Sequence, residues 1–256
     1  FFFDLRKYNL RCKTETERLS MAPQPPKPET NRQLIGAFFQ EFGGSILLIA
    51  LLFPFGSFLG DTWTGWVAHF FMVMLADFIT VGSQVNPSVS VATWVYGWIP
   101  TNGMIVRILG QIVASFVVFP LVSMFTPSYV EMGGPQLDET ASLTKGVLYE
   151  AGLTGGLLLL ILVAATQLGL PAQRPVIAIG IRALIYVGAT SGPAMNPMIA
   201  FGWAWFGGSS AEFWDVAHIL VYWVAPTVGA VAGVLIWKQV EVMLETLAAD
   251  HKKKTK

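Results

Sequence analysis

Six apolar runs, each near the roughly 20 residues that cross the hydrocarbon core of a bilayer, recur along the chain at about 34–55, 63–82, 103–125, 144–168, 175–191 and 213–238. Two further apolar stretches, 86–98 and 196–206, are only 11–13 residues long. Stretches that short read as re-entrant rather than spanning. Both open on the same signature, Asn86-Pro87-Ser88 and Asn196-Pro197-Met198. An Asn ahead of Pro is a helix-start signal: Asn caps the free N–H groups, and Pro takes the first helical position, where its missing donor costs nothing. Two capped helix starts at membrane depth point to a pore.

The pattern also repeats. Glu41-Phe-Gly-Gly-Ser opens one half and Glu150-Ala-Gly-Leu-Thr-Gly-Gly the other; Glu41 lies 45 residues before Asn86, and Glu150 lies 46 before Asn196. Each unit (34–125 and 144–238) holds a Glu-bearing span, a second span, a re-entrant Asn-Pro helix and a third span. Three spans per unit is odd, so the second unit enters the membrane upside down relative to the first. Inverted repeats of this kind place a functional site near the midplane, at discontinuous helices.

Composition agrees with the pattern and settles the class. Of 256 residues 54% are hydrophobic and 12% charged, well below the roughly 25% charged residues of a soluble domain. This is the balance of a polytopic membrane protein. A net charge of zero gives no basic face for nucleic acid. Cys12, the single cysteine, rules out an internal disulfide. Residues 1–33, polar and rich in proline, read as a disordered arm. Within it 1–20 are expected to be upstream or processed sequence, since Met21-Ala22-Pro23 would make an ordinary start. Residues 239–256 form a basic tail. Arg107, Arg174 and the Lys-rich tail share one side, whereas 56–62, 126–143 and 207–212 carry Asp61, Glu131, Asp138, Glu139 and Glu212 without Lys or Arg. The positive-inside rule then places both termini in the cytosol.

Two short helices entering from opposite faces would bring their N-termini together, each with about half a positive charge. That pair opposes protons and cations and affects neutral solutes less. The Asn86 and Asn196 oxygens cap backbone N–H groups, which leaves their amide NH2 groups to donate to a passing oxygen.

The two Asn-Pro boxes, with the run Ser-Gly-Pro-Ala-Met-Asn-Pro-Met-Ile-Ala-Phe-Gly-Trp at 191–203, resemble the major intrinsic protein (aquaporin) family, and within it the small basic intrinsic protein subgroup. The resemblance covers about 34–238. It implies an all-α, aquaporin-like right-handed bundle of six transmembrane helices plus two re-entrant half-helices. It also implies a homotetramer with one pore per protomer, carrying water or small neutral solutes, with no cofactor. The family signature is two Asn-Pro-Ala boxes; here Ser88 and Met198 stand in the third positions, and Met198 is expected to narrow or reshape the midplane constriction. In the family the glutamates matching Glu41 and Glu150 hold the backbone of the re-entrant segments.

Most water-selective relatives place Arg three residues after the second box's Asn, where this chain has Ile199. By the same alignment the other filter positions are Pro193, Leu184 and Trp66. A filter without that guanidinium lacks a fixed donor and one charge barrier, so modest water flux or passage of glycerol, urea or hydrogen peroxide is expected.

Other residues carry weaker signals. Asp77 and Arg182, both inside spans, fall at similar depths from the cytosolic side and read either as a buried pair or as two charges snorkelling separately. That depth argues against Arg182 as a replacement filter cation. His69 and His218 lie in spans and His251 in the tail, without metal-ligand spacing. No nucleophile or paired-carboxylate arrangement is present, so no enzyme activity is expected. Gly152/Gly156 and Gly229/Gly233 permit close helix approach, within the protomer rather than between subunits. Pro226 predicts a kink in the last span. Lys253 and Lys254 match a dilysine signal for retrieval to the endoplasmic reticulum, or else form a basic cluster against anionic lipid. The alternative to a channel is a closed-pore membrane scaffold or assembly subunit.

Overall fold

In hydrocarbon every backbone N–H and C=O must be satisfied within its own segment, which leaves the helix as the form for each of these apolar runs. The computed structural model describes residues 26–59, 62–80, 82–131, 133–138, 140–207 and 215–254, and no strand occurs among them. The elements are α1 (Asn31–Leu59), α2 (Trp63–Thr80), the half-helix α3 (Pro87–Tyr96), α4 (Thr101–Ser123) and a short α5 (Pro127–Val130). There follow α6 (Leu143–Gln167), α7 (Leu170–Val187), the half-helix α8 (Pro197–Gly207), α9 (Val216–Ile219), a π-helical turn (Leu220–Val224) and α10 (Ala225–Lys254). The arm's residues 1–25, and Asp61, Glu139 and Glu212, lie outside the described residues.

By length and composition α1, α2, α4, α6 and the continuous stretch Val216–His251 suit a membrane crossing. The sixth, α7, is diluted by Gln173, Arg174 and Arg182. It also begins at Leu170, five residues earlier than the apolar run, because Pro171 sits in its first turn and starts the helix. At the other end of the chain α10 continues unbroken through the basic tail to Lys254. A π turn ends two residues before Pro226, which cannot donate to the carbonyl of Tyr222 and so unsettles the ladder just upstream.

The inverted repeat is visible in the packing. First and third spans pair in each unit, α1 with α4 and α6 with α10, and the second spans α2 and α7 meet between them. The half-helices cross over: α3 packs on α10 of the second unit, and α8 packs on α4 of the first. Gly229 and Gly233 of α10 press against the backbone of α6 at Ala151 and Gly155, so the close approach is within the protomer. The facing glycine is Gly155; Gly152 meets nothing, and Gly156 touches Leu184. Large apolar side chains such as Phe39, Phe71, Phe78, Ile105 and Ile179 face outward, as a lipid-facing surface requires.

Two clasps lie on the side of the termini. Glu29 receives both terminal nitrogens of Arg107, at 2.9 and 3.1 Å, while its backbone exchanges hydrogen bonds with Asn102. Lys238 of α10 donates to the Val95 carbonyl at 2.8 Å, meeting an orphan acceptor at the negative end of α3, and Tyr96 donates to Glu241 at 2.6 Å. Gly97, with φ of 99°, ends α3 in the left-handed conformation that a C-terminal turn needs.

Candidate functional site: two Asn-Pro boxes locked face to face

Each half-helix begins as its sequence predicts. The Asn86 side-chain oxygen accepts from Ser88 N at 2.9 Å, and the Asn196 oxygen accepts from Met198 N at 3.1 Å. The amide nitrogens behave differently from expectation. Asn86 Nδ2 donates to the Met195 carbonyl at 2.8 Å, and Asn196 Nδ2 donates to the Val85 carbonyl at 2.8 Å. Each box thus holds the residue just before the other box. One amide hydrogen per Asn is committed to this crossing, and one remains for a further acceptor.

The glutamates hold the same two residues from behind. Glu41 accepts from Gln84 N at 2.8 Å and Val85 N at 2.7 Å; Glu150 accepts from Ala194 N at 3.1 Å and Met195 N at 2.9 Å. Both carboxylates are buried. The positions match to the residue: two before, then one before, each Asn. Both networks have further members that the sequence reading missed. Gln111 of α4 donates to Glu41 at 2.8 Å and to Ser90 at 3.0 Å, and Ser191 donates to Glu150 at 3.2 Å while receiving Tyr222 OH on its carbonyl at 2.7 Å. A lone Gln amid the apolar residues of the third span was the available signal, since a buried amide has to find partners.

The third box positions each meet a span. Met198 is fully buried and clusters with Ile49 and Phe53 of α1 and Phe119 and Val122 of α4, at the seam between those helices and α8. Its counterpart Ser88 is equally buried and shares a 3.1 Å hydrogen bond with Thr227 of α10. These departures from the family box answer the helix that each half-helix packs on. Pro87 and Pro197 open their helices fully inside the protein.

The Asp77–Arg182 pair does not form. Asp77 pairs with Arg174, Nε to Oδ2 at 2.8 Å, and the same guanidinium lies over the Phe78 ring at 5.2 Å. The early start of α7 is the reason: Arg174 falls inside the helix at the level of Asp77, and Arg182 lies about 12 Å farther along at 1.5 Å per residue. Arg182 instead covers the Trp66 ring at 4.7 Å, near the face opposite the termini. Burial pushes the Tyr129 phenol above its ordinary range, and the Arg182 charge pulls it partly back.

Of the remaining filter positions, Leu184 and Pro193 both meet Gly188. Ile199 joins the cluster of Phe53, Met198, Tyr129 and Trp203, while Leu184 packs toward α6 near Gly156 and Gly188. Pro193 lies against Gly188. Lys253 and Lys254 end α10. Among the described residues no group of three or more His, Cys, Asp or Glu could hold a metal ion.

Comparison with known proteins follows the same outline. Residues 33–237 match the family model described as major intrinsic protein. The chain is 31% identical over 204 residues to Aquaporin SIP1-1 of Arabidopsis thaliana, covering 75% of this chain and 82% of that protein. It is 30% identical over 224 residues to Aquaporin Z of Brucella melitensis, covering 80% and 94% respectively. The fold matches the X-ray structure of the aquaglyceroporin from Plasmodium falciparum with a TM-score of 0.70, at 21% identity over 84% of this chain and 99% of that one. The chain therefore belongs to the major intrinsic protein family and is an integral, multi-pass membrane protein with the helical aquaporin fold.

Proposed function

We propose that the protein is a passive channel for water and small neutral solutes such as glycerol, urea or hydrogen peroxide, and that the two half-helix N-termini exclude protons. The observation that carries this reading is the crossed pair Asn86–Met195 and Asn196–Val85. It brings two positive helix ends to one point and leaves each amide one hydrogen for a solute oxygen. A proton wire through that point would need a water oriented against both dipoles. The family of the chain and the names of its relatives agree with this reading. Stopped-flow light scattering on proteoliposomes, run in parallel with water, glycerol and hydrogen peroxide, tests it. Flux of at least one above protein-free vesicles, without a proton leak, is the expected result; flux equal to empty vesicles for all three refutes it.

A second reading, a closed-pore scaffold, draws on one fact: Asn86 and Asn196 are only 1% and 3% exposed. The same assay separates the two. Further parts of the proposal are a homotetramer, a lipid-facing apolar surface, cytosolic termini and residence in the endoplasmic reticulum membrane through Lys253 and Lys254.

A further inference from the structure

A cavity of about 10 Å³ lies between α1, α2 and the turn that leads into the first box, walled by Gly44, Leu48, Asp77, Thr80, Ser83 and Val85. That is the smallest volume that takes one water, and a water stays in such a space only with about two to four polar partners. Three stand on the walls. The Asp77 carboxylate accepts from Arg174 Nε at 2.8 Å, and a carboxylate has lone pairs for several donors. Thr80 Oγ1 donates to the Ala76 carbonyl at 2.8 Å, so its oxygen presents lone pairs to a further donor. Ser83 brings a hydroxyl that both donates and accepts.

The second repeat supplies the contrast. Gly44 lies three residues after Glu41, and Ser83 three before Asn86; the matching positions are Leu153, three after Glu150, and Pro193, three before Asn196. Leu153 and Pro193 both crowd Gly188, so apolar side chains fill that place. In the first repeat a Cβ at Gly44 would run into Ser83 Oγ. Glycine keeps the space open there, and serine makes it polar. Asp77 has no acidic counterpart either, since the positions that match it by spacing are Tyr186 and Val187, both exposed.

We propose that this cavity is a binding site for one water molecule, which donates to Asp77 and Thr80 and accepts from Ser83. The water ties the Asp77–Arg174 pair to the turn whose Val85 carbonyl receives Asn196. The first box is then braced from α2 through the water as well as from α1 by Glu41, which takes the Val85 N–H at 2.7 Å. A bridging water is enthalpically close to a direct hydrogen bond. In the second repeat the additional brace is protein: Ser191 donates to Glu150 at 3.2 Å and receives Tyr222 on its carbonyl.

Two measurements on the full chain in detergent test the proposal. X-ray pulses split bound water into hydroxyl radicals, which oxidise the side chains beside it. Leu48 and Val85, both buried, are expected to be oxidised in the native protein, and Leu158, buried in the apolar core, is not. Thr80→Val combined with Ser83→Ala removes two of the three partners with little change of shape and should abolish that label. Amide hydrogen exchange reads the brace: in the double variant the Val85 N–H should exchange several-fold faster, while the Met195 N–H keeps its native rate. Native Leu48 and Val85 no more oxidised than Leu158 overturn the site, and that comparison needs no variant to fold. A label that survives the double variant overturns it as well. Equal acceleration of both amides, or of neither, overturns the bracing role. Neither readout depends on flux, so the result stands whether the pore conducts or is closed.

Discussion

Val85 and Met195 share a backbone conformation that neither side chain favours, with φ of 46° and 47°. A β-branched residue in the left-handed region is a strained residue, at about 1–3 kcal/mol. The conformation turns each N–H toward a glutamate and each C=O toward the opposite Asn. Glu41 and Glu150 are therefore restraints on strained backbone. Glu41→Gln and Glu150→Gln keep the shape but replace a two-oxygen acceptor by one. Each hydrogen bond to a charged group contributes about 1.5–3 kcal/mol, so both variants should unfold several degrees lower in detergent and lose flux in proportion to folded protein. A Gln variant with native thermal stability and altered solute preference would contradict the restraint role.

Asp77 has a side chain with 0% exposure and Arg174 one with 28%. Removing the carboxylate charge strands a partly solvated cation, so Asp77→Asn should cost about 1–3 kcal/mol, less than a fully buried pair. A double-mutant cycle separates the two arginines: Asp77→Asn combined with Arg174→Gln should be markedly non-additive, and combined with Arg182→Gln close to additive. Coupling to Arg182 instead would restore the Asp77–Arg182 pair, one of the two readings open from the sequence.

Met198 is a core side chain by its contacts, and truncation should behave accordingly. Met198→Ala is expected to lose about 2–5 kcal/mol through the cavity left beside Phe53 and Phe119. The ratio of glycerol to water flux should hold in the protein that remains folded. A shift in that ratio at unchanged stability would return Met198 to the conduction path.

Ile199 differs, because it lies at the surface of its cluster in the first turn of α8. Ile199→Arg would put a guanidinium in the first turn of α8. The water-to-glycerol flux ratio should move several-fold. Orthodox water conduction by the native protein, unaltered in Ile199→Arg, would show that this position does not filter.

Lys253→Ala with Lys254→Ala tests the tail. Loss of retrieval predicts that a fluorescently tagged chain leaves the endoplasmic reticulum for later compartments, with folding and flux untouched. An unchanged distribution leaves only the lipid-binding role for these lysines.

The spans, both half-helices and the matched spacing from Glu to Asn were legible because each depends on local pattern: apolar length, a capping Asn, a Pro at the first helical position. The half-helices start at Pro87 and Pro197 as read, and end within two residues of the expected limits. What the sequence hid depends on helix register across the bundle. Arg182 was assigned to the wrong depth because α7 starts before its apolar run, at a Pro171 whose helix-starting role competed with the polar Gln173 and Arg174 beside it. The α1 and α4 neighbours of Met198 could not be read, because a box position says nothing of which neighbouring helix its side chain meets. Gln111, Ser90 and Tyr222 went unread because a single polar residue in an apolar span does not name its partner.

The exchange of half-helices between the repeats bears on how the protein is made. The ribosome completes α3 at residue 96, but the helix it packs on, together with Lys238 and Glu241 at its far end, does not exist until more than a hundred residues later. The same holds for Asn86, whose acceptor is the Met195 carbonyl. The first repeat thus leaves the ribosome with its half-helix held only by its own Glu41 and Gln111, and with a strained Val85 lacking the opposite Asn. Such long-range closure is slow, and it exposes unfinished surface while it waits. The midplane therefore closes only once the second box has been made, and a chain truncated before α8 should insert its spans yet never join the two boxes.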